Sequence, residues 1–271
     1  MGITILIPFL VFSDKWPLIV MTCVIGLLSA FEILKCTGLV RQFHLTVISA
    51  ATILFTQIGV RVFEVDRYLT LALIAYMVYA VIAMTFSVFS KGKIQLSNLC
   101  QSVLMIVYVS FGLSCLTLLR DFSEEYGLVL FLLAFFVPWV CDAMAYFVGV
   151  FFGKHKMIPD VSPKKTVEGA VGGIAGVILA TVVFGLAMHF GFGKQPNYFL
   201  LVALALIGGI VSQWGDLIAS LLKREYGIKD YGKVFPGHGG VMDRFDSLFS
   251  VSIFIFSACK LFEQVTLFVS W

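Results

Sequence analysis

Charged residues are scarce in this sequence of 271 residues. Only 13% are Asp, Glu, Lys or Arg, whereas 60% are hydrophobic, and the mean hydropathy is +0.99. A soluble domain carries about 25% charged residues, so this chain has too little polar surface to face water on all sides. The high apolar content also excludes a disordered chain. The sequence therefore predicts an integral membrane protein.

Cysteine pairs with the CxxC spacing of a zinc site are absent from the sequence. The six cysteines lie inside or at the edges of apolar segments, which favours packed free thiols over disulfides. Residues 1–12 lack a basic region and a small-residue cleavage site, so we expect them to be retained. The formal net charge of only +3 gives no indication of nucleic acid binding, and we expect no such partner.

Charged residues divide the sequence into nine apolar segments that could cross a bilayer. A crossing helix needs about 17 to 25 apolar residues. The first segment is short and contains Pro8, so it could be re-entrant or cross only half of the bilayer. We predict an all-α polytopic integral membrane protein with about nine transmembrane helices, near residues 3–13, 16–34, 45–60, 68–88, 100–118, 127–152, 167–190, 198–222 and 245–268.

Basic residues are unequally divided between the two sides that these spans define. Thirteen lie in loops on the side of residue 1 and five on the opposite side, while Lys260 lies in the last span. Cytoplasmic loops of membrane proteins are enriched in Lys and Arg. The sequence therefore predicts residue 1 on the cytoplasmic side and the C-terminal Trp271 on the outer side.

The two halves of the sequence differ in polarity. Residues 1–125 contain apolar spans with few polar residues inside them, apart from Glu32, and we interpret this half as a transmembrane scaffold or dimer surface without chemistry of its own. From residue 126 onward each span carries acids, hydroxyls or glycines at helical spacing. We therefore predict a catalytic region at residues 126–271, with cytoplasmic loops at 153–166 and 223–244.

A polar stripe runs along the eighth predicted span. Its members follow one another at offsets of four, four and three, which places them on one helix face. They are Ser212, Asp216, Ser220 and Lys223. Asp142 lies inside the sixth span, and an acid near the bilayer centre costs about 2.5–3.5 kcal/mol unless it lines a wet cavity or has a partner. For Asp142 and Asp216, a structural role that only bridges helices stays open.

Glycines and two lysines mark the start of the seventh predicted span. Two glycine pairs have the small-xxx-small spacing that lets helices approach closely, Gly169 with Gly173 and Gly172 with Gly176. Lys164 and Lys165 precede them at the expected start of a helix, where free N–H groups favour anions. This position indicates a phosphate contact, although the lysines could also serve only as a positive-inside anchor.

The loop before the last span concentrates both charge and glycine. Residues 220–246, SLLKREYGIKDYGKVFPGHGGVMDRFD, contain five basic and four acidic residues. Basic groups with flexible backbone amides suit a polyphosphate, and carboxylates suit a divalent ion that bridges its oxygens. Asp243 and Asp246 are three residues apart, so we expect both to point to one side. The segment therefore indicates phosphoryl-type chemistry.

This segment resembles the signature of the phosphatidate cytidylyltransferases, or CDP-diacylglycerol synthases. The family pattern combines Ser, Lys-Arg, Lys-Asp, Pro-x-His-Gly-Gly and Asp-Arg-x-Asp, and this sequence follows it without departure. The matching positions are Ser220, Lys223, Arg224, Lys229, Asp230, Pro236, His238, Gly239, Gly240, Asp243, Arg244 and Asp246. The resemblance covers about residues 126–271, and the compact chain is similar to the bacterial branch.

The resemblance implies that CTP and phosphatidic acid are converted to CDP-diacylglycerol and pyrophosphate. It implies Mg²⁺ bound by Asp216, Asp243 and Asp246, with Asp142 as a fourth carboxylate, and the number of acids leaves room for a second cation such as K⁺. The resemblance also implies catalytic roles for Asp216, Asp243, Asp246, Lys223 and Arg244. Substrate contacts fall to Lys164, Lys165, Ser220, Arg224, Lys229, His238, Gly239 and Gly240. His238 could equally cap a turn.

These residues are expected to converge on a water-filled funnel in the cytoplasmic half of the last four spans. The funnel should open sideways to lipid, because the acyl chains of phosphatidic acid stay in the bilayer. The resemblance also implies a homodimer in the bacterial cytoplasmic membrane.

Two other functions are compatible with parts of the sequence. A secondary transporter would explain acids inside spans, but it predicts inverted repeats and charges across the whole membrane. A CTP-dependent polyprenol or phytol kinase would transfer the γ-phosphate to an alcohol and would need a base for the hydroxyl group. We do not expect such a kinase to carry the full pattern of residues 220–246.

Overall fold

The protein is helical throughout most of its length. The computed structural model describes residues 15–90, 94–124, 126–192, 195–234, 239–261 and 268–269. Within these ranges the helices are α1 (Lys15–Cys36), α2 (Phe43–Val62), α3 (Val65–Phe89), α4 (Leu96–Asp121), α5 (Gly127–Phe152), α6 (Val167–Phe192), α7 (Tyr198–Glu225) and α8 (Met242–Leu261). Short strands are β1 (Lys156–Ile158), β2 (Ser162–Thr166), β3 (Gln195–Pro196) and β4 (Phe268–Val269), paired β1 with β2 and β3 with β4.

Seven of the described helices, α1 to α7, are long and apolar enough to cross a membrane. The predicted class is thereby confirmed, and the chain is a multi-pass membrane protein. The predicted span 3–13 lies outside the described residues. The predicted span 245–268 corresponds to α8, which begins at Met242 and is not among the seven, in keeping with the charged residues in its first turns. The count of nine spans stays a prediction.

The chain forms two compact units. The first comprises Met1–Leu128 and Glu225–Phe245, and the second comprises Val129–Arg224 and Asp246–Trp271. The segment with most of the signature residues therefore groups with the N-terminal helices, although it lies a hundred residues further along the sequence.

Helices α1 to α4 of the first unit enclose an interior that is more polar than an apolar scaffold requires. Ser110 of α4 is fully buried, and its hydroxyl group lies 2.8 Å from the Thr56 hydroxyl group. The Tyr76 hydroxyl group donates to the same Ser110 oxygen at 3.2 Å, and Gln57 donates to the Ser110 carbonyl at 3.0 Å. Such bonds between buried side chains hold membrane helices together.

In the second unit, glycines bring α6 against α5. A Cβ atom added to Gly173 would lie 2.8 Å from the Cys141 carbonyl oxygen, and one added to Gly169 would lie 2.7 Å from the Ala145 carbonyl oxygen. The predicted close approach through small residues is thus confirmed. It fixes the segment of α5 that carries Asp142.

Replacing Gly173 by Ala should destabilise the protein by about 1–3 kcal/mol, the usual cost of overpacking, because the contacting atom is a backbone oxygen that cannot rotate away. Gly191→Ala is the matched control, since nothing lies within 4 Å of a Cβ atom there. Thermal unfolding in detergent would measure the difference. Equal unfolding temperatures for the two variants would contradict the close packing of α5 and α6.

Lys164 and Lys165 lie on strand β2 and not at a helix N-terminus, so that part of the sequence interpretation was wrong. Strands β1 and β2 form an antiparallel hairpin in which Lys156 pairs with Thr166. The Thr166 hydroxyl group accepts a hydrogen bond from the Gly169 amide at 3.1 Å. Because Thr166 satisfies this free N–H group, α6 begins at Val167, two residues beyond the lysines.

Candidate active site

A cavity of about 460 Å³ lies in the second unit, between α5, α6, α7 and the hairpin. Asp142 from α5 and Asp216 from α7 contribute carboxylates, whereas Lys156, Lys164 and Lys165 contribute ammonium groups from the hairpin. Small residues such as Ala145 and Gly149 make up much of the remaining wall. The cavity thus combines both charge signs in largely apolar surroundings, where electrostatic interactions are stronger than in water.

An ion pair connects two of the predicted site residues inside this cavity. The Lys165 Nζ atom lies 2.7 Å from Asp216 Oδ2, with about a quarter of each side chain exposed. The Ser220 hydroxyl group donates to the other oxygen, Asp216 Oδ1, at 3.2 Å. Lys223, one turn further along α7, is buried with 8% exposure. The predicted polar face of α7 therefore points inward and not toward lipid.

Asp246 is buried in the same unit, with 8% of its surface exposed. Its Oδ1 atom accepts a hydrogen bond from the Ser247 amide at 2.8 Å. The charges of Asp216, Lys223 and Asp142 are all near enough to interact with it electrostatically. The second unit therefore brings together three of the four acids that were predicted to bind a metal.

The chemistry of these carboxylates fits Mg²⁺, which prefers hard oxygen ligands and uses few of them from protein. Within the described ranges, no group of three His, Cys, Asp or Glu side chains is arranged closely enough to hold a metal ion. The Lys165 ammonium group instead provides a positive charge beside Asp216. Mg²⁺ binding by Asp142, Asp216, Asp243 and Asp246 accordingly stays a prediction.

Two further residues contribute to the cavity and were not identified from the sequence. Lys156 lines the cavity, but in the sequence it was only one of the basic residues that indicate the cytoplasmic side. Gln213 also lines it and donates to the Ala170 carbonyl oxygen at 2.9 Å, connecting α7 to α6. Its position next to Ser212, on the predicted polar face of the helix, could have indicated that Gln213 is also buried in the protein. Arg224, a predicted phosphate ligand, donates from Nε to the Val161 carbonyl oxygen at 3.1 Å and ties α7 to the hairpin.

The part of the signature that belongs to the first unit is the signature segment, Glu225–Phe245, and Asp243 is the acceptor for two of its backbone amides. Its Oδ2 atom accepts hydrogen bonds from the amides of Tyr231 at 2.8 Å and Gly240 at 2.9 Å. Gly239 has a φ of +86°, which favours glycine, and a Cβ atom there would lie 2.9 Å from Asp243 Oδ2. Lys229 and Arg244 are exposed. His238 lies outside the described residues.

The start of this segment is anchored to α4. Gln101 donates to Glu225 Oε1 at 2.6 Å, and the Tyr226 hydroxyl group donates to Gln101 Oε1. Burial, with a smaller contribution from the Glu225 charge, raises the pKa of Tyr226 above its ordinary value, so the hydroxyl group stays protonated as a donor. Sequence patterns gave no indication of this contact.

The cavity places paired carboxylates and lysines inside a helical membrane protein, and such groups are suited to binding phosphate. The sequence matches the cytidylyltransferase family over residues 1–262, and the chain belongs to that family. It is therefore a nucleotidyltransferase.

Curated relatives cover most or much of the chain. The chain is 31% identical over 265 residues to the phosphatidate cytidylyltransferase of Bacillus subtilis strain 168, covering 94% of this chain and 93% of that protein. It is 36% identical over 170 residues to the phosphatidate cytidylyltransferase of Staphylococcus aureus strain COL, covering 63% of this chain and 62% of the relative. A protein of the same name from Staphylococcus saprophyticus is 38% identical over 170 residues.

Proposed function

We propose that this protein is a phosphatidate cytidylyltransferase, which converts CTP and phosphatidic acid to CDP-diacylglycerol and pyrophosphate. The observation that carries the proposal is the cavity in which Asp142 and Asp216 face three lysines. Two polyanionic substrates need such a concentration of positive charge. The name of the Bacillus subtilis relative, which matches over nearly the full length of both chains, supports the same choice of substrates.

The proposed reaction is an in-line substitution at the α-phosphorus of CTP. A phosphate oxygen of phosphatidic acid forms the new P–O bond, while the bond from the α-phosphorus to the bridging oxygen breaks and its electron pair leaves with pyrophosphate. The attacking oxygen is already anionic, so no residue has to remove a proton from it. Catalysis then depends on orienting two anions and on stabilising the charge that develops on the leaving group.

The cationic side chains have distinct proposed tasks. Lys164 and Lys165 bind substrate phosphate from the hairpin, and Lys156 adds a third charge in the same cavity. Lys223 and Arg244 act on the reacting phosphates. The remaining substrate contacts are proposed for Ser220, Arg224, Lys229, His238, Gly239 and Gly240.

The acidic side chains would hold Mg²⁺. Asp142, Asp216 and Asp246 interact electrostatically within the second unit, and Asp243 keeps the role that the signature assigns to it. When bound, the ion would neutralise phosphate charge and polarise the phosphorus centre. A second cation such as K⁺ belongs to the same proposal.

We propose that the site is a funnel open to the cytoplasm and sideways to lipid. Tyr146 and Val150 line the cavity and are more than 60% exposed, which supports an apolar mouth facing acyl chains. The protein would act as a homodimer in the bacterial cytoplasmic membrane, with its C-terminus on the outer side.

One assay tests the proposed function directly. Purified protein would be incubated with phosphatidic acid and Mg²⁺, using CTP labelled at either the α- or the γ-phosphate. We expect the α label in the lipid, the γ label in pyrophosphate, and no transfer after chelation of Mg²⁺. A γ label in the lipid would instead identify a kinase. Absence of any transfer would reject the proposal and favour a transporter.

A further inference from the structure

Glu32 of α1 is a buried carboxylate in the half of the sequence that had shown no chemistry. Only 3% of its surface is exposed. Its Oε1 atom accepts a hydrogen bond from the Val241 amide at 3.0 Å, and its Oε2 atom accepts one from the Met242 amide at 2.8 Å. Both amides belong to the N-terminal end of α8, so Glu32 caps a helix that lies 210 residues away in sequence.

Two glycines of the signature segment lie close to this carboxylate. A Cβ atom added to Gly232 or Gly240 would overlap with Glu32 Oε1. Gly232 and Gly240 of the signature segment therefore lie against the Glu32 carboxylate, and side chains at these two positions would displace it. The requirement for glycine at Gly240 has a physical cause that the sequence pattern does not reveal.

Gly240 also connects Glu32 to Asp243. Its Cα atom packs near the Glu32 carboxylate, and its amide donates to Asp243 Oδ2 at 2.9 Å. The next two amides, those of Val241 and Met242, donate to Glu32. Two carboxylates thus hold three consecutive amides immediately before and at the start of α8. The backbone that carries Asp243 cannot shift without breaking a bond to Glu32.

The charge of Glu32 is costly in this place and needs compensation. The helix around it has a mean hydropathy of 2.2 across its membrane-spanning window. Burial and the charge of Asp243 oppose the ionised carboxylate, whereas the two amide bonds, the positive end of the α8 dipole and the nearby charge of Lys35 favour it. An apolar residue would leave these two buried amides without an acceptor, so the contacts indicate that Glu32 orients the start of α8.

We propose that Glu32 is a positioning residue for cytidylyl transfer, acting through the start of α8 on Asp243 and Arg244. This inference rests on the proposed function, because the consequence for catalysis follows only if those residues take part in the reaction. Glu32 itself does not have to touch a substrate.

The test compares Glu32→Gln with Glu64→Gln, because Glu64 is an exposed acid of the same half whose side chain makes no cap hydrogen bond. The Gln amide keeps the volume but turns an NH₂ group toward an amide donor. We expect kcat to fall about 10- to 100-fold, as for outer residues that orient metal ligands. Because one buried cap hydrogen bond is lost, we also expect a small decrease in the unfolding temperature, with faster amide hydrogen exchange confined to residues 239–246. Glu64→Gln should match the wild type in all three measurements.

The alternative outcomes separate the possible failures. Wild-type kcat and exchange in Glu32→Gln would overturn the inference, as would exchange that rises throughout the protein and not only at residues 239–246. If Glu32→Gln does not fold, Gly232→Ala disturbs the same carboxylate by overlap with Glu32 Oε1 and should give the same localised exchange and reduced kcat. If the wild-type protein shows no cytidylyl transfer, the proposed function is rejected. Amide hydrogen exchange at residues 239–246 would still show whether Glu32 holds the signature segment in place.

Discussion

Asp246→Asn is expected to lower kcat for cytidylyl transfer by about 10²–10³-fold, the usual cost of removing one preorganised electrostatic group. Asp246 is buried near Asp142, Asp216 and Lys223, and the proposed function assigns its carboxylate to Mg²⁺. The neutral amide keeps the shape and still accepts the hydrogen bond from Ser247. Initial rates at saturating CTP and phosphatidic acid would measure the effect.

The same substitution should not destabilise the protein. Burial and two neighbouring acids disfavour a charge on Asp246, whereas the Ser247 amide and one lysine favour it, so Asp246→Asn should unfold at the same or a higher temperature than the wild type. Asp160→Asn is the matched control, because Asp160 is exposed in the hairpin turn, and it should retain full activity. Wild-type turnover in Asp246→Asn would remove Asp246 from the mechanism.

Lys165→Gln is expected to lower kcat/KM for CTP about 10- to 100-fold. This range corresponds to one hydrogen bond to a charged group, worth about 1.5–3 kcal/mol. Lys165 lies in the cavity with its ammonium group 2.7 Å from Asp216, which orients it before the substrate arrives. Steady-state rates over a range of CTP concentrations would measure the loss.

A matched lysine distinguishes phosphate binding from a general effect of positive charge. Lys154 is exposed in the same loop, and Lys154→Gln removes the same charge without altering the lining of the cavity. If both lysines served only as positive-inside anchors, the two variants would behave alike. The double variant Lys165→Gln with Asp216→Asn should lose less than the sum of the single losses, because the two residues share one ion pair.

Hydropathy and helical spacing were sufficient to predict the helical class and the inward face of α7. These features depend on residues within one helix, so the sequence pattern contains them. The hairpin was missed because two lysines after a proline resemble a helix start equally well. The lysines adopt a strand because their segment pairs with β1, in which Lys156 lies opposite Thr166, ten residues away in sequence.

The spacing of Asp243 and Asp246 could not predict that the two carboxylates have different environments. Both lie near the start of α8, and their separation of three residues predicted a common direction. The structure gives Asp243 two backbone amides, whereas it buries Asp246 near other acids. Glu32 was missed for a related reason, since a single acid in an apolar helix has no periodicity and its partners lie more than 200 residues away.

The signature segment belongs to the same compact unit as the N-terminal helices, so the two halves of the sequence are not independent modules. A fragment starting at residue 126 would retain every signature residue, yet it would lack Glu32 and Gln101, which hold the two ends of Glu225–Phe245. The N-terminal half is therefore not an exchangeable membrane anchor. A chimera that combines halves from different relatives would have to preserve the contacts of Glu32 and Gln101 with the signature segment. The signature segment should therefore be exchanged together with α1 and α4.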